Sequence, residues 1–129
     1  MPHVFRYKPL RGQFAPLITI GLKLGEAWYP VEVYVDSGSA YSVLRAQIAD
    51  GIGFDYRSGN QLYIQVGDGS YIPVYLHELE MQLGTDRFTA RVGFSDRLGV
   101  GFNLLGRASV FERYKVCFQE SQRLLTFEV

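Results

Sequence analysis

The sequence predicts an all-β, mainly β fold: a closed barrel of antiparallel strands with one or two short helices. Three observations predict it. Val, Ile, Thr, Phe, Tyr and Trp supply 41 of the 129 residues and Ala only seven, a balance that favours pleated surfaces over helices. Short runs that alternate apolar and polar residues recur from end to end, each bounded by glycine. No repeat, low-complexity tract or linker divides them, and 129 residues is the size of one domain. Residues 1–129 are therefore expected to form a single domain, with 1–13 as an N-terminal arm that is flexible or used in dimerisation.

Composition excludes several function classes. Thirteen Lys+Arg balance thirteen Asp+Glu, which argues against a global attraction to nucleic acid or an anionic membrane surface. The apolar runs fall far short of the roughly 20 residues a membrane helix needs, and no uninterrupted apolar run follows MPHVFRYKPLRG as a signal peptide would require. A lone cysteine, Cys117, rules out an intrachain disulfide and a multi-cysteine metal centre. Two histidines, His3 and His77, leave few ways to build a Ser-His-Asp triad. The expectation is a soluble cytoplasmic protein with no metal, cofactor, nucleic-acid partner or membrane partner.

In chain order, residues 14–22 read as a largely buried strand, with Ile18, Ile20 and Leu22 on one face. Gly25-Glu26 turns the chain into a second strand, residues 27–35, where Val31, Val33 and Val35 alternate with Glu32 and Tyr34. This strand runs into the turn-forming cluster Asp36-Ser37-Gly38-Ser39. Residues 42–49 read as a short helix with Ser42 as N-cap and Gly51 as its stop. A hairpin follows over 61–66 and 71–76 about the tip Gly67-Asp68-Gly69-Ser70, and another over 79–83 and 88–92. After a looser stretch, Leu104-Leu105-Gly106-Arg107 leads a short helix over 108–112. Strands over 114–119 and 124–129 close the chain.

The strongest local signal for chemistry is VEVYVDSGSAYSVL, an alternating strand that delivers Asp36 into a tight Ser37-Gly38 turn. On its own the tripeptide also describes a surface turn in which Asp36 caps its own backbone. The second signal is Phe102-Asn103-Leu104-Leu105-Gly106-Arg107 further along. An apolar strand ending in Asp-Ser-Gly, paired with a later Leu-Leu-Gly-Arg, resembles the retropepsin-like aspartic protease family, and the likeness runs from about Phe14 to Val129.

The resemblance implies an aspartic endopeptidase in which two aspartates share one proton around a water, one acting as general base and the other polarising the peptide carbonyl. Like charges a few Å apart do not both ionise; aspartic proteases are the standard example of that splitting. The chain has one Asp-Ser-Gly, and its other aspartates do not repeat the motif. The second carboxylate must then come from a second copy, in a homodimer that acts on a peptide or protein. By the same resemblance Ser37, Gly38 and Ser39 support the turn. Gly67, Asp68 and Gly69 form a flap that closes over substrate, and Leu104, Leu105, Gly106 and Arg107 are structural.

Two departures stand out. Ser39 occupies a position where Ala is commoner, and Ala40 stands where retroviral members carry an Asp that holds the arginine. Arg107 therefore reads as a structural anchor without that partner. Cys117 reads as a packing residue, His77 as a surface residue, His3 as part of a frayed terminus, and Arg87, Arg91 and Arg97 as a solvated mixed surface. Two other readings remain open: an inactive module of the same fold that dimerises and binds extended peptides, and a β-barrel interaction domain whose Asp-Ser-Gly is only a turn.

Overall fold

The computed structural model describes residues 2–129. Its strands are β1 (His3–Arg6), β2 (Lys8–Leu10), β3 (Gln13–Ala15), β4 (Leu17–Leu24), β5 (Ala27–Val35) and β6 (Ser42–Arg45). A helix, α1 (Ala46–Ile52), separates these from β7 (Asn60–Gln65), β8 (Tyr71–Leu83), β9 (Asp86–Ser95), β10 (Asn103–Leu105), β11 (Lys115–Gln119) and β12 (Leu124–Glu128).

The alternation in β4 and β5 does what period two demands. Ile18, Ile20, Leu22 and Leu24 point inward with Val31, Val33 and Val35, while Thr19 and Glu32 are exposed. The two strands pair antiparallel over their whole length about the expected turn at Gly25-Glu26. From β5 the ring continues through β10, β6, β9 and β8, and it closes where Gly21 and Leu22 of β4 meet Gln82 and Met81 of β8. Six strands thus enclose a core that includes Phe94, Leu44, Leu105 and Met81. β7 lies outside the ring, as the hairpin partner of β8.

The expected barrel is present, but two of its pairings, β5 with β10 and β6 with β9, are parallel and not antiparallel. They arise because β10 inserts between β5 and β6, the two strands joined by the Asp36 turn. Local pattern carries no trace of such an insertion, since it depends on residues distant in sequence.

Other local expectations shift for the same reason. Ser42–Arg45 is strand, not the start of a helix, because β9 on one side and β10 on the other take its backbone groups. The helix begins at Ala46, its N-cap is Arg45, and it ends at Gly53 instead of Gly51. Residues 79–83 are not a separate strand but the continuation of β8, thirteen residues long, which meets β7, β9 and β4 in turn. Residues 108–112 do not form a regular helix: Ala108 is extended and Ser109 has φ 69°, held by its N–H to Glu112 Oε1 at 2.7 Å.

A second, three-stranded sheet in the order β1-β12-β11 closes the molecule. Its N-terminal strand is anchored, so His3 is not frayed. Its Nε2 lies 3.0 Å from Asp86 Oδ2, to which the Tyr114 hydroxyl also donates at 2.6 Å. The Tyr114 bond, and then His3, hold the Asp86 carboxyl below the usual range, while burial and the same bond push Tyr114 up to about 12. His77 is not a surface residue either. It is half-buried between Phe54 and Phe94, with Nε2 2.6 Å from the Tyr56 carbonyl. Cys117 is half-buried, as a packing residue would be. The arginines make no common stripe: Arg87 stacks over Trp28 and Arg91 pairs with Glu112 at 3.8 Å.

Candidate active site

β5 carries Asp36 just past its end, and the backbone there is stitched to β10. The Asp36 N–H donates to the Leu105 carbonyl at 2.9 Å. Inside the turn, the Ser39 N–H reaches the Asp36 carbonyl at 3.2 Å and the Gly38 N–H donates to Asp36 Oδ1 at 2.8 Å. The self-capping turn expected of an isolated Asp-Ser-Gly is therefore real. It uses one carboxylate oxygen, and Oδ2 accepts no hydrogen bond among the described residues. Asp36 is half-buried, Ser37 and Gly38 are exposed, and Ser39 turns inward so that its hydroxyl donates to the Tyr41 carbonyl at 2.6 Å.

The second motif lies directly against the first. Arg107 and Ala108 donate their N–H groups to the carbonyls of Ser39 and Ala40, at 2.8 and 2.9 Å. Gly106 crosses so close beneath this loop that a Cβ would meet the Tyr41 carbonyl and lie 2.7 Å from that of Ser39, both rigid backbone. No side chain fits there, which is the physical reason for glycine between Leu105 and Arg107. Leu105 is fully buried under the turn and Leu104 is half-buried. Arg107 is exposed, and its guanidinium donates to the Ser37 carbonyl at 3.3 Å. It thus holds the turn through backbone and not through an acidic side chain, consistent with Ala40 in place of an aspartate.

One contributor escaped the sequence reading. Ser42, assigned there as a helix cap, is buried, and its Oγ accepts the Gly106 N–H at 3.0 Å. The usable signal was a lone hydroxyl inside the apolar run Tyr41–Leu44, since a buried hydroxyl needs a partner. A second feature is an aromatic pair near the end of β5. Tyr34, two residues before Asp36, sits opposite Leu104 and stacks on Phe102 at 4.8 Å between centroids.

Gly67, Asp68 and Gly69 form the exposed tip of the β7–β8 hairpin. The Asp68 carboxylate accepts the hydroxyl and N–H of Ser70, at 2.6 and 2.9 Å, and these bonds hold its pKa below the ordinary value. The underside of the hairpin joins a small apolar cluster of Val43, Ile72 and Val74, flanked by Tyr41, Ile64, Val66 and Leu98. Through Tyr41 and Val43 this cluster seats the hairpin base on the segment that follows Asp36. Among the described residues no group of three or more His, Cys, Asp or Glu side chains is placed to hold a metal ion. No helix there is long and apolar enough to cross a membrane.

No protein-family model and no curated protein sequence matches the chain. Solved structures do. A retropepsin-like aspartic protease from Rickettsia conorii superposes with a TM-score of 0.67 at 19% identity, covering 98% of this chain and 98% of that one. The fold is that of the retropepsin-like aspartic proteases. An EIAV protease, solved with a bound inhibitor, matches with a TM-score of 0.54 at 17% identity over 78% of this chain and 88% of its own. Within the retropepsin fold Asp36 sits half-buried in the turn that follows β5. Three concavities of about 330 to 380 Å³ lie elsewhere, and Asp36 lines none of them. A single carboxylate can accept a proton from water but cannot at the same time serve as the protonated acid that polarises a carbonyl.

Proposed function

We propose that the chain is an aspartic endopeptidase whose working form is a homodimer, with one Asp36 from each copy facing across the two-fold axis. The observation that carries this reading is the build of the Asp36 turn. Its backbone is tied to β10 and Arg107, one carboxylate oxygen is held by Gly38, and the other is left open.

In the dimer the paired carboxylates would hold one proton between them, because ionising both at short range is costly. The ionised partner draws a proton from the trapped water, which attacks the peptide carbonyl, and the protonated partner donates to the carbonyl oxygen. The Ser37 hydroxyl is exposed at the face where the copies would meet and is available to bond across it. The Tyr34–Phe102 stack and Leu104 would present an apolar wall to a substrate side chain, and the hairpin tip at Gly67, Asp68 and Gly69 would close over the peptide, supplying main-chain hydrogen bonds to it.

One observation limits how the two copies can meet. Both edges of β12 are already paired within the chain, by β1 and β11, so this strand has no open edge to lend to a partner. A dimer built mainly on the Asp36 face would be weak and its activity steeply dependent on protein concentration. The test is incubation with a peptide library between about pH 3 and 7, with and without pepstatin, beside Asp36→Asn. We expect a bell-shaped pH profile, inhibition by pepstatin, and a loss of at least about a hundredfold in the variant with its fold intact. Binding without cleavage supports the inactive module, and cleavage undiminished in Asp36→Asn overturns the catalytic assignment.

A further inference from the structure

A concavity of about 330 Å³, at the small end of the range for ligand sites, opens beside α1 and is not lined by Asp36. Leu17, Val31, Ile48, Ile52 and Phe102 give it apolar walls. Two charged side chains line it as well, Arg45 and Glu32. Among the described residues no carboxylate lies within 4.0 Å of the Arg45 guanidinium. Glu32 meets Lys8 through one oxygen only, at 3.3 Å.

The spacing of these two residues is preset. Asn103, almost fully buried, accepts the Arg45 N–H on Oδ1 at 2.8 Å and donates through Nδ2 to the Glu32 carbonyl at 2.9 Å. One side chain thus clamps β6 to β5 across the floor of the concavity. A cation and an anion thus line one largely apolar concavity; they do not pair with each other, and Glu32 has Lys8 as its partner.

We propose that this concavity binds the C-terminal residue of a peptide that ends in an apolar side chain. Such a residue carries the three groups the site complements. Its carboxylate fits the planar fork of Arg45, its amide N–H, one carbon away, faces Glu32, and its side chain enters the apolar walls. A fatty acid offers the carboxylate and the hydrocarbon but no donor for Glu32, whose charge then opposes it. Asp36 does not line this site, although Phe102 is shared with the wall proposed for substrate, and occupancy does not depend on peptide cleavage.

The test uses the full chain carrying Asp36→Asn, so that no probe is consumed and the outcome is independent of catalysis. Acetyl-Leu-Leu with a free carboxylate, its C-terminal amide, and octanoate are titrated while methyl and amide NMR signals are followed. The free acid is expected to shift Ile48 and Ile52 saturably. The amide is expected to bind at least about tenfold more weakly, as is the acid to a chain that also carries Arg45→Gln, with Arg45→Lys intermediate. Amide and acid binding equally well would overturn the proposal on the unaltered pocket, whatever the variants do. Shifts confined to residues 36–39 would overturn it by placing the ligand at the other site. Octanoate binding as tightly as the peptide acid would overturn the assignment to a peptide terminus.

Discussion

The turn that holds Asp36 and the tip of the β7–β8 hairpin are both short, polar and rich in glycine, yet their hydrogen bonds run differently. Around Asp36 the bonds reach out to a distant segment: Asp36 to Leu105, Arg107 to Ser39, Ala108 to Ala40 and Gly106 to Ser42. At the tip they stay local. Val66 and Ser70, Gly69 and Val66, Gln65 and Gly69, and Ser70 and Asp68 bond within six consecutive residues. A loop tied to another strand can open only by breaking the barrel, whereas one tied to itself can move as a unit. This suits the fixed carboxylate and the mobile cover that the proposed function calls for.

The contrast breaks most sharply at glycine. Gly106→Ala drives a Cβ into the backbone of Tyr41 and Ser39. It should destabilise the fold by about 3 kcal/mol in urea titration, as an overpacked site without flexible neighbours does. Next comes Ser42→Ala, which leaves the buried Gly106 N–H without its acceptor. A loss of about 1 to 3 kcal/mol is expected, with the Gly106 amide exchanging faster with solvent.

At the hairpin tip the effects shrink. Gly69, with φ 87°, should cost about 1 kcal/mol on substitution by alanine, while Gly67→Ala meets nothing within 4 Å and should stay within about 0.5 kcal/mol of wild type. Equal losses at Gly67 and Gly106 would erase the distinction between the loops. The smallest effect is one of pH. Because the Ser70 bonds depress the Asp68 pKa, they support the tip above the ordinary aspartate value of about 3.9, and the support is lost as pH falls through the depressed folded value. Ser70→Ala should move the Asp68 titration midpoint, followed by NMR, upward towards the ordinary range. An unmoved midpoint would show that the tip is held by something else.

The same contrast explains what could be read in advance. The Asp36 turn, the Gly25-Glu26 turn and the hairpin tip depend on residues adjacent in the chain, and alternation places Val31, Val33 and Val35 inward without further information. Ser42 was misread because a serine before an apolar run signals a helix cap locally. Its actual partner, Gly106, lies far along the chain. His3 and His77 were misread for a related reason. Each packs against groups that only the folded chain brings near, Asp86 and Tyr114 in one case and Tyr56, Phe54 and Phe94 in the other.

Pattern and turn chemistry alone determined that this polypeptide is built of strands, where its tight bends fall, and which acid stands at the end of an apolar strand. These follow from steric and hydrogen-bonding preferences acting over a few residues. Tertiary structure alone decided that β10 slides between β5 and β6, that two ladders run parallel, and that β1 covers β12. A strand's backbone groups take whichever partner satisfies them, and that partner is chosen by burial of the whole core and not by neighbours in the chain.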